Sequence, residues 1–139
     1  MSTYLDSSFL VKLYIPEQDS PAALALAGRI IGTPSISTLT DVEVASAILR
    51  RSPEANAGPL YAVYRHNRAD GLYRLVEVDT FTFSLARQLI ERYARMFSLR
   101  SLDAVQLATA LQIGAREFVT LDADLTKAAE AEGLTVPRI

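Results

Sequence analysis

The side chains with the most chemical potential in this sequence are four acids. Asp6 ends the apolar run Thr3-Tyr4-Leu5, and Glu43 stands between Val42 and Val44. Asp103 precedes Ala104 and Val105, and Asp122 follows Phe118-Val119-Thr120-Leu121. Carboxylates bind hard divalent cations, and Mg²⁺ is typically held by one or two of them together with water and phosphate. One or two such ions can activate a water and stabilise the leaving oxygen of a phosphodiester. Without a cation, clustered carboxylates repel one another and raise one another's pKa values. Four together therefore make sense as a cation site. There is no cysteine, and His66 is the sole histidine. A thiolate zinc site and a multi-histidine site are both excluded. A metal here is held by oxygen, which points to Mg²⁺ or Mn²⁺.

Each acid also has a plainer reading. Asp6 and Asp122 both precede helical segments, and Asp is a favoured N-cap. Asp103 falls in a first helical turn, where the helix dipole favours negative charge. Glu43 is different, because no cap accounts for a mid-helix glutamate among valines. The alternatives for it are solvent exposure or a pairing with Arg50, seven residues on. Ser46 and Ala47, three and four residues along, are small and leave space beside it.

The elements that must position these acids follow from periodicity and breakers. The 139 residues fit a single domain spanning 1–139. Half of them are hydrophobic and 22% are charged, a globular balance with material for a core. Thr3–Asp6 reads as a strand, Ser7–Ile15 as a helix stopped by Pro16, and Ser20–Ile31 as a helix ended by Gly32. Pro34–Ser37 is a strand and Thr38–Arg51 a helix. Ser52–Gly58 is a loop, Pro59–Ala69 a helix and Tyr73–Val78 a strand. Phe81–Phe97 is a long amphipathic helix, and Leu102–Ile113 a helix apolar on nearly every side. Glu117–Leu121, Asp122–Glu132 and Leu134–Val136 complete the chain as strand, helix and strand. Alternation of this kind predicts an α/β fold, a parallel sheet with helices on both faces. Ligands then bind outside the carboxyl ends of the strands. Asp6 and Asp122 fall at that rim if their strands are parallel neighbours.

The start, MSTYLDSSFLVKLY, lacks the basic opening and long apolar run of a secretory signal. No stretch approaches the ~20 apolar residues of a membrane span. The expectation is a cytoplasmic protein. Its net charge is only −2, whereas nucleic-acid binders are usually basic. If RNA is the substrate, local arginines and bound metal must supply the attraction.

The segments YLDSSFLVKLY, TLTDVEVASAILRR, LRSLDAVQLATAL and FVTLDADLTKAAEAEGLTV resemble, in order and spacing, the PIN-domain family. More narrowly, they resemble the VapC-type toxins of bacterial VapBC toxin–antitoxin pairs. The resemblance spans the whole chain. It implies that Asp6, Glu43, Asp103 and Asp122 are the family's metal-binding catalytic acids. The family's small polar residue falls on Ser8, with Ser7 the second choice. Thr120 matches the threonine that orients a carboxylate or water. Asp124 is an extra acid near the site, ranked below Asp122. Many relatives carry a histidine shortly after the third acid, where this chain has Val105-Gln106-Leu107. The implied fold is a three-layer sandwich, a five-stranded parallel sheet between helices. The implied reaction is endonucleolytic cleavage of single-stranded or looped RNA by water, with Mg²⁺ or Mn²⁺ and no protein nucleophile. The implied partners are a VapB-type antitoxin, which places a basic or blocking segment in the acidic pocket, and a second copy in a homodimer.

Tyr61, Tyr64, Arg65 and Arg68 recur at helical spacing. They read as an RNA surface, as an antitoxin groove, or as an amphipathic helix with tyrosines half in the core. His66 in the same stretch reads as a surface side chain, and Arg87, Arg92 and Arg95 as a solvated face. Phe9, Leu13, Leu24 and Leu26 are candidates for a partner surface or for core. Two other classes of function compete with a nuclease. One is a receiver-like module that takes Mg²⁺ and a phosphoryl group; it wants a lysine after a late strand, and the only lysines are Lys12 and Lys127, both within helices. The other is a catalytically silent PIN scaffold.

Overall fold

The computed structural model describes residues 2–139. Strand β1 (Thr3–Leu5) leads into α1 (Ser7–Lys12) and α2 (Ser20–Ala27). Strand β2 (Ser35–Ser37) is followed by α3 (Thr38–Arg51) and α4 (Glu54–Ala69), and β3 (Arg74–Val76) by α5 (Thr80–Phe97) and α6 (Ser101–Gln112). Strand β4 (Glu117–Val119) and α7 (Ala123–Ala131) close the order.

The strands form one parallel sheet in the order β3-β2-β1-β4. Tyr4 pairs with Phe118 and Leu5 with Val119. Side chains alternate across each strand, so the sheet has two apolar faces. Tyr4 and Phe118 point to one face and pack with α5, α6 and α7. Their rings stack at 5.6 Å and 5°. Leu5, Ile36 and Val119 point to the other face and pack with α1, α3 and α4. The result is the expected three-layer α/β sandwich.

Two expectations need correction. The fifth strand, Leu134–Val136, is reduced to a single parallel bridge between Thr135 and Glu117. Phe118 N donates to Thr135 O and Thr135 N to Arg116 O, both at 2.9 Å. Pro137 has no N–H with which to extend the ladder. The segment read as loop, Ser52–Gly58, is helical from Glu54 onward. Gly58 and Pro59 lower its intrinsic propensity, but Ala57 is buried. Asn56 N and Ala57 N both bond to Pro53 O, at 2.8 and 3.0 Å. Pro59 lies inside α4 and forfeits its own intrahelical bond, a cost that the tertiary packing of the helix overrides.

Caps fix where the site-bearing helices begin. Ser37 and Thr40 form a reciprocal capping box at the start of α3. Asp6 caps α1 and Asp122 caps α7. Among the described residues no helix is long and apolar enough to cross a membrane.

Candidate active site

The chain runs from β1 outward to β3 and then returns to place β4 on the other side of β1. Strand order therefore reverses between β1 and β4, where open parallel sheets form a ligand crevice. Asp6 and Thr120 are the residues just past those two strands. Asp6 N donates to Val119 O at 2.9 Å, and Thr120 Oγ1 donates to Asp6 Oδ2 at 2.8 Å. Ser8 Oγ donates to the same oxygen at 2.6 Å, and Ser8 N at 3.3 Å. Ser8 Oγ in turn accepts from Leu121 N at 3.0 Å. Asp122 N donates to Thr120 Oγ1 at 3.1 Å, while Asp122 Oδ1 accepts from Leu125 N at 2.8 Å. The loops after β1 and β4 are thus laced together through Ser8 and Thr120. Asp6 is only 2% exposed. Burial pushes its carboxyl up, opposed by the hydrogen bonds from Ser8 and Thr120 and reinforced by Glu43.

Glu43 reaches this region from the second turn of α3. Its Oε1 accepts from Ser7 Oγ at 3.0 Å and from Gln106 Nε2 at 2.6 Å. It does not pair with Arg50, whose Nε donates to Ser46 Oγ at 2.9 Å. Gln106 is 1% exposed. Its Oε1 accepts from Thr40 Oγ1 at 2.9 Å and from Tyr4 OH. With both hydroxyls on the carbonyl, the amide must present its NH₂ to Glu43. Gln106 is therefore a positioning residue, a role that the sequence reading left open. The available signal was a glutamine inside an otherwise apolar helix, three residues after Asp103 and so on the same face. Ser7, the second choice for the small polar residue, has its own task on Glu43.

Asp103 lies in the first turn of α6 and, among the described residues, is held by no hydrogen bond; its carboxyl is raised from 3.8 to about 7. Desolvation is the largest cause, followed by the charges of Asp6, Asp122 and Glu43. The four acids therefore feel one another electrostatically. Asp6, Asp103 and Asp122 line one cavity of about 460 Å³, together with Ser7 and Ser8. Asp124 is exposed in the first turn of α7 and does not line it.

The donor chemistry of this site fits a hard cation, since every candidate ligand is a carboxylate. Among the described residues no three His, Cys, Asp or Glu side chains converge closely enough to form a metal cage by themselves. What fits is a cation held by one or two carboxylates and completed by water and substrate oxygens, the usual habit of Mg²⁺. Asp6 takes all three of its hydrogen bonds on Oδ2, leaving Oδ1. Glu43 keeps Oε2, and Asp122 keeps Oδ2.

The sequence model of the PIN domain family matches residues 3–131. The chain belongs to the PIN-domain family. Ribonuclease VapC46 of Mycobacterium tuberculosis is 33% identical to it over 138 residues, covering 96% of this chain and 94% of that one. Among solved structures, the Sarcin-Ricin loop cleaving toxin VapC20 of M. tuberculosis superposes with a TM-score of 0.73 at 20% identity, covering 99% of both chains. FitAcB from Neisseria gonorrhoeae gives 0.75 at 18% identity, covering 98% of this chain and 96% of that one. VapBC2 from Rickettsia felis, bound to a fragment of its promoter DNA, gives 0.68 at 13%, covering 99% and 98%. At these identities the superpositions show the fold.

Other residues singled out in the sequence find plainer places in this PIN domain. Tyr64 is fully buried, packs edge-on against Tyr14, and donates to Asp41 Oδ1 at 2.7 Å. Arg68 Nη1 donates to Asp41 Oδ2 at 2.5 Å. Both tie α4 to α3; Tyr64 is core, as the amphipathic-helix alternative had it, while Arg68 remains exposed. Tyr61 stays half-buried with the Arg65 guanidinium 5.8 Å from its ring centroid. His66 is exposed and faces Asp70 at 3.0 Å. Arg87 pairs with Glu91 and Arg92 with Glu132. Phe9 and Leu26 are core, Leu13 is half-buried, and Leu24 is exposed.

The PIN cavity also holds two cations that the sequence reading missed as site residues, Lys12 and Arg51. Their signal was spacing: Glu43, Ala47 and Arg51 stand four residues apart on α3, so they share one face.

Proposed function

We propose that this chain is a Mg²⁺- or Mn²⁺-dependent endoribonuclease that acts as the toxin of a toxin–antitoxin pair. The observation that carries the reading is the acidic cluster at the strand-order reversal. Three of its carboxylates are oriented through one oxygen and keep the other unbound, and Asp103 keeps both. Asp6, Asp103, Asp122 and Glu43 are the residues that would hold the cation. When bound, the metal supplies charge neutralisation and an activated water for attack on phosphorus. Ser8 and Thr120 hold Asp6 in place, while Ser7 and Gln106 hold Glu43. The burial of Asp6 strengthens the electrostatics of the cluster. The relative's name, a ribonuclease, supports RNA as the substrate class, and the VapBC title of a structural neighbour supports a VapB-type antitoxin as partner. A homodimer is the assembly we expect from the same resemblance.

The test is cleavage of a mixed RNA pool by the purified protein with Mg²⁺ or Mn²⁺, with EDTA, and with Asp6→Asn. Metal-dependent cleavage abolished in the variant is the expected result. Cleavage that persists in EDTA, or full activity in Asp6→Asn, overturns the mechanism. No cleavage under any condition favours the silent scaffold.

A further inference from the structure

The cavity lined by Asp6, Asp103 and Asp122 is walled by α1 and α3, and each of these helices brings a cation to it at its C-terminal end. On the first, Asp6 caps the start, Ser7 and Ser8 line the first turn, and Val11 and Lys12 line the last. On the second, Ala47 and Arg51 line the cavity one and two turns beyond Glu43, which stands on the same face outside the lining. On both helices the cation stands at the end away from the acid. A single carboxylate, Glu17, holds both cations: its Oε1 accepts from Arg51 Nη2 and its Oε2 from Lys12 Nζ. Asp19, exposed at the start of α2, also lines the cavity and, among the described residues, pairs with neither cation.

This clamp has two consequences. It removes rotamer freedom from two long side chains, so they are ordered before a ligand arrives. It also keeps both cations on Glu17 rather than on the acids, which would otherwise attract them. Among the described residues Arg51 uses only Nη2 on protein, which leaves Nε and Nη1. A guanidinium fork of this kind matches phosphate geometry, and an ammonium adds a compact point charge. From Asp6 to Lys12 the chain advances six residues, roughly 9 Å along the α1 axis. A stacked strand rises about 3.4 Å per nucleotide, so that distance covers two or three nucleotides.

We propose that Lys12 and Arg51, clamped by Glu17, form a phosphate-binding subsite for the RNA backbone. It lies two or three nucleotides from the bond exposed to the acids and positions the strand in the groove between α1 and α3. The inference rests on the ribonuclease reading of the acidic cluster. It gives an acidic protein a local means of holding a polyanion, which the net charge of −2 does not.

The experiment has a cleavage arm and a binding arm. In the binding arm, a labelled single-stranded RNA of mixed sequence is titrated at several salt concentrations with protein carrying Asp6→Asn, which prevents turnover. Adding Lys12→Gln and Arg51→Gln is expected to weaken binding. It should flatten the slope of log affinity against log salt by about 1.4, at roughly 0.7 per phosphate contact on a single strand. The swap Lys12→Arg with Arg51→Lys keeps both charges and should keep the slope. Arg87→Gln with Arg95→Gln removes two exposed cations of α5 and should leave it unchanged. In the cleavage arm, with Asp6 intact, Lys12→Gln with Arg51→Gln should raise KM far more than it lowers kcat, as expected of positioning residues. Thermal melting checks that each variant folds. An unchanged slope beside normal wild-type cleavage overturns the subsite alone, as does an equal loss in the α5 variant. Absence of wild-type cleavage overturns the ribonuclease reading, and the subsite falls with it.

Discussion

Replacing Asp103 with Asn should stabilise the metal-free protein at alkaline pH. The Asp103 carboxyl is raised from its ordinary 3.8 to about 7 by desolvation and by the charges of Asp6, Asp122 and Glu43. Its folded-state value lies above its unfolded one, so the native state binds the proton more tightly. Stability from this group is therefore fully present below about pH 4 and is lost as pH rises through about 7. At 1.36 kcal/mol per pH unit the shift corresponds to roughly 4 kcal/mol. Asp103 is partly open to water, and screening reduces the figure to about 1–2 kcal/mol. Asparagine has nearly the same shape and carries no charge. It also sacrifices no hydrogen bond, because the carboxylate has none.

Urea unfolding in EDTA, at pH 5 and at pH 8, reads this directly. The variant should exceed wild type by about 1–2 kcal/mol at pH 8 and by less at pH 5, with the same dependence on urea. Added Mg²⁺ should reverse the ranking. Binding to the native state stabilises by RT ln(1 + [L]/Kd), about 2.7 kcal/mol at a hundredfold excess over Kd, and wild type binds better. A variant that is less stable than wild type at pH 8 in EDTA, or a difference that ignores pH, would refute the picture of a repelling cluster.

Gln106→Leu should cost about 1–3 kcal/mol, because Tyr4 OH and Thr40 Oγ1 lose a buried acceptor. It should also slow cleavage at least about tenfold, as expected for loss of positioned electrostatics; unchanged single-turnover rates would remove Gln106 from its positioning role. Thr120→Val deletes a hydrogen bond that lowers the Asp6 pKa. That carboxyl should rise further and the acidic limb of the pH–rate profile should move to higher pH, and a profile left in place argues against it. Tyr64→Phe loses one bond to Asp41, so it should cost about 1 kcal/mol in urea and leave cleavage intact. A large loss of activity at unchanged stability would return Tyr64 to the RNA surface.

The sheet rim was legible in the sequence because it depends on local signals. Asp6 and Asp122 each follow a short β run and open a helix, and parallel pairing of Tyr4 with Phe118 brings them to one edge. Glu43 stood out for want of a cap. Its anchor was hidden, because Gln106 is 63 residues away and meets it only where α6 crosses α3. Lys12 and Arg51 stand at helix ends, where cations suit the dipole, so nothing local in the sequence sets them apart. Only the packing of α1 on α3 brings them to Glu17 and into one cavity. The start of α4 was obscured by Gly58 and Pro59, two breakers overridden by tertiary burial of Ala57.

Capping and metal binding were competing explanations for Asp6 and Asp122 in the sequence, but the hydrogen bonds make them compatible. A cap engages one carboxylate oxygen: Oδ2 of Asp6 on Ser8, and Oδ1 of Asp122 on Leu125 N. The second oxygen remains, and the cap fixes the direction in which it points. Glu43 reaches the same condition without a cap, by fixing Oε1 through Ser7 and Gln106. Asp103 has neither device. Burial, followed by the charges of Asp6, Asp122 and Glu43, raises its carboxyl to about 7 with no donor to oppose the shift among the described residues. A fold could remove this cost by giving Asp103 a donor. Leaving it bare makes the cluster's stability depend on a cation, so affinity for metal and resistance to urea should trade against each other across substitutions at this one position.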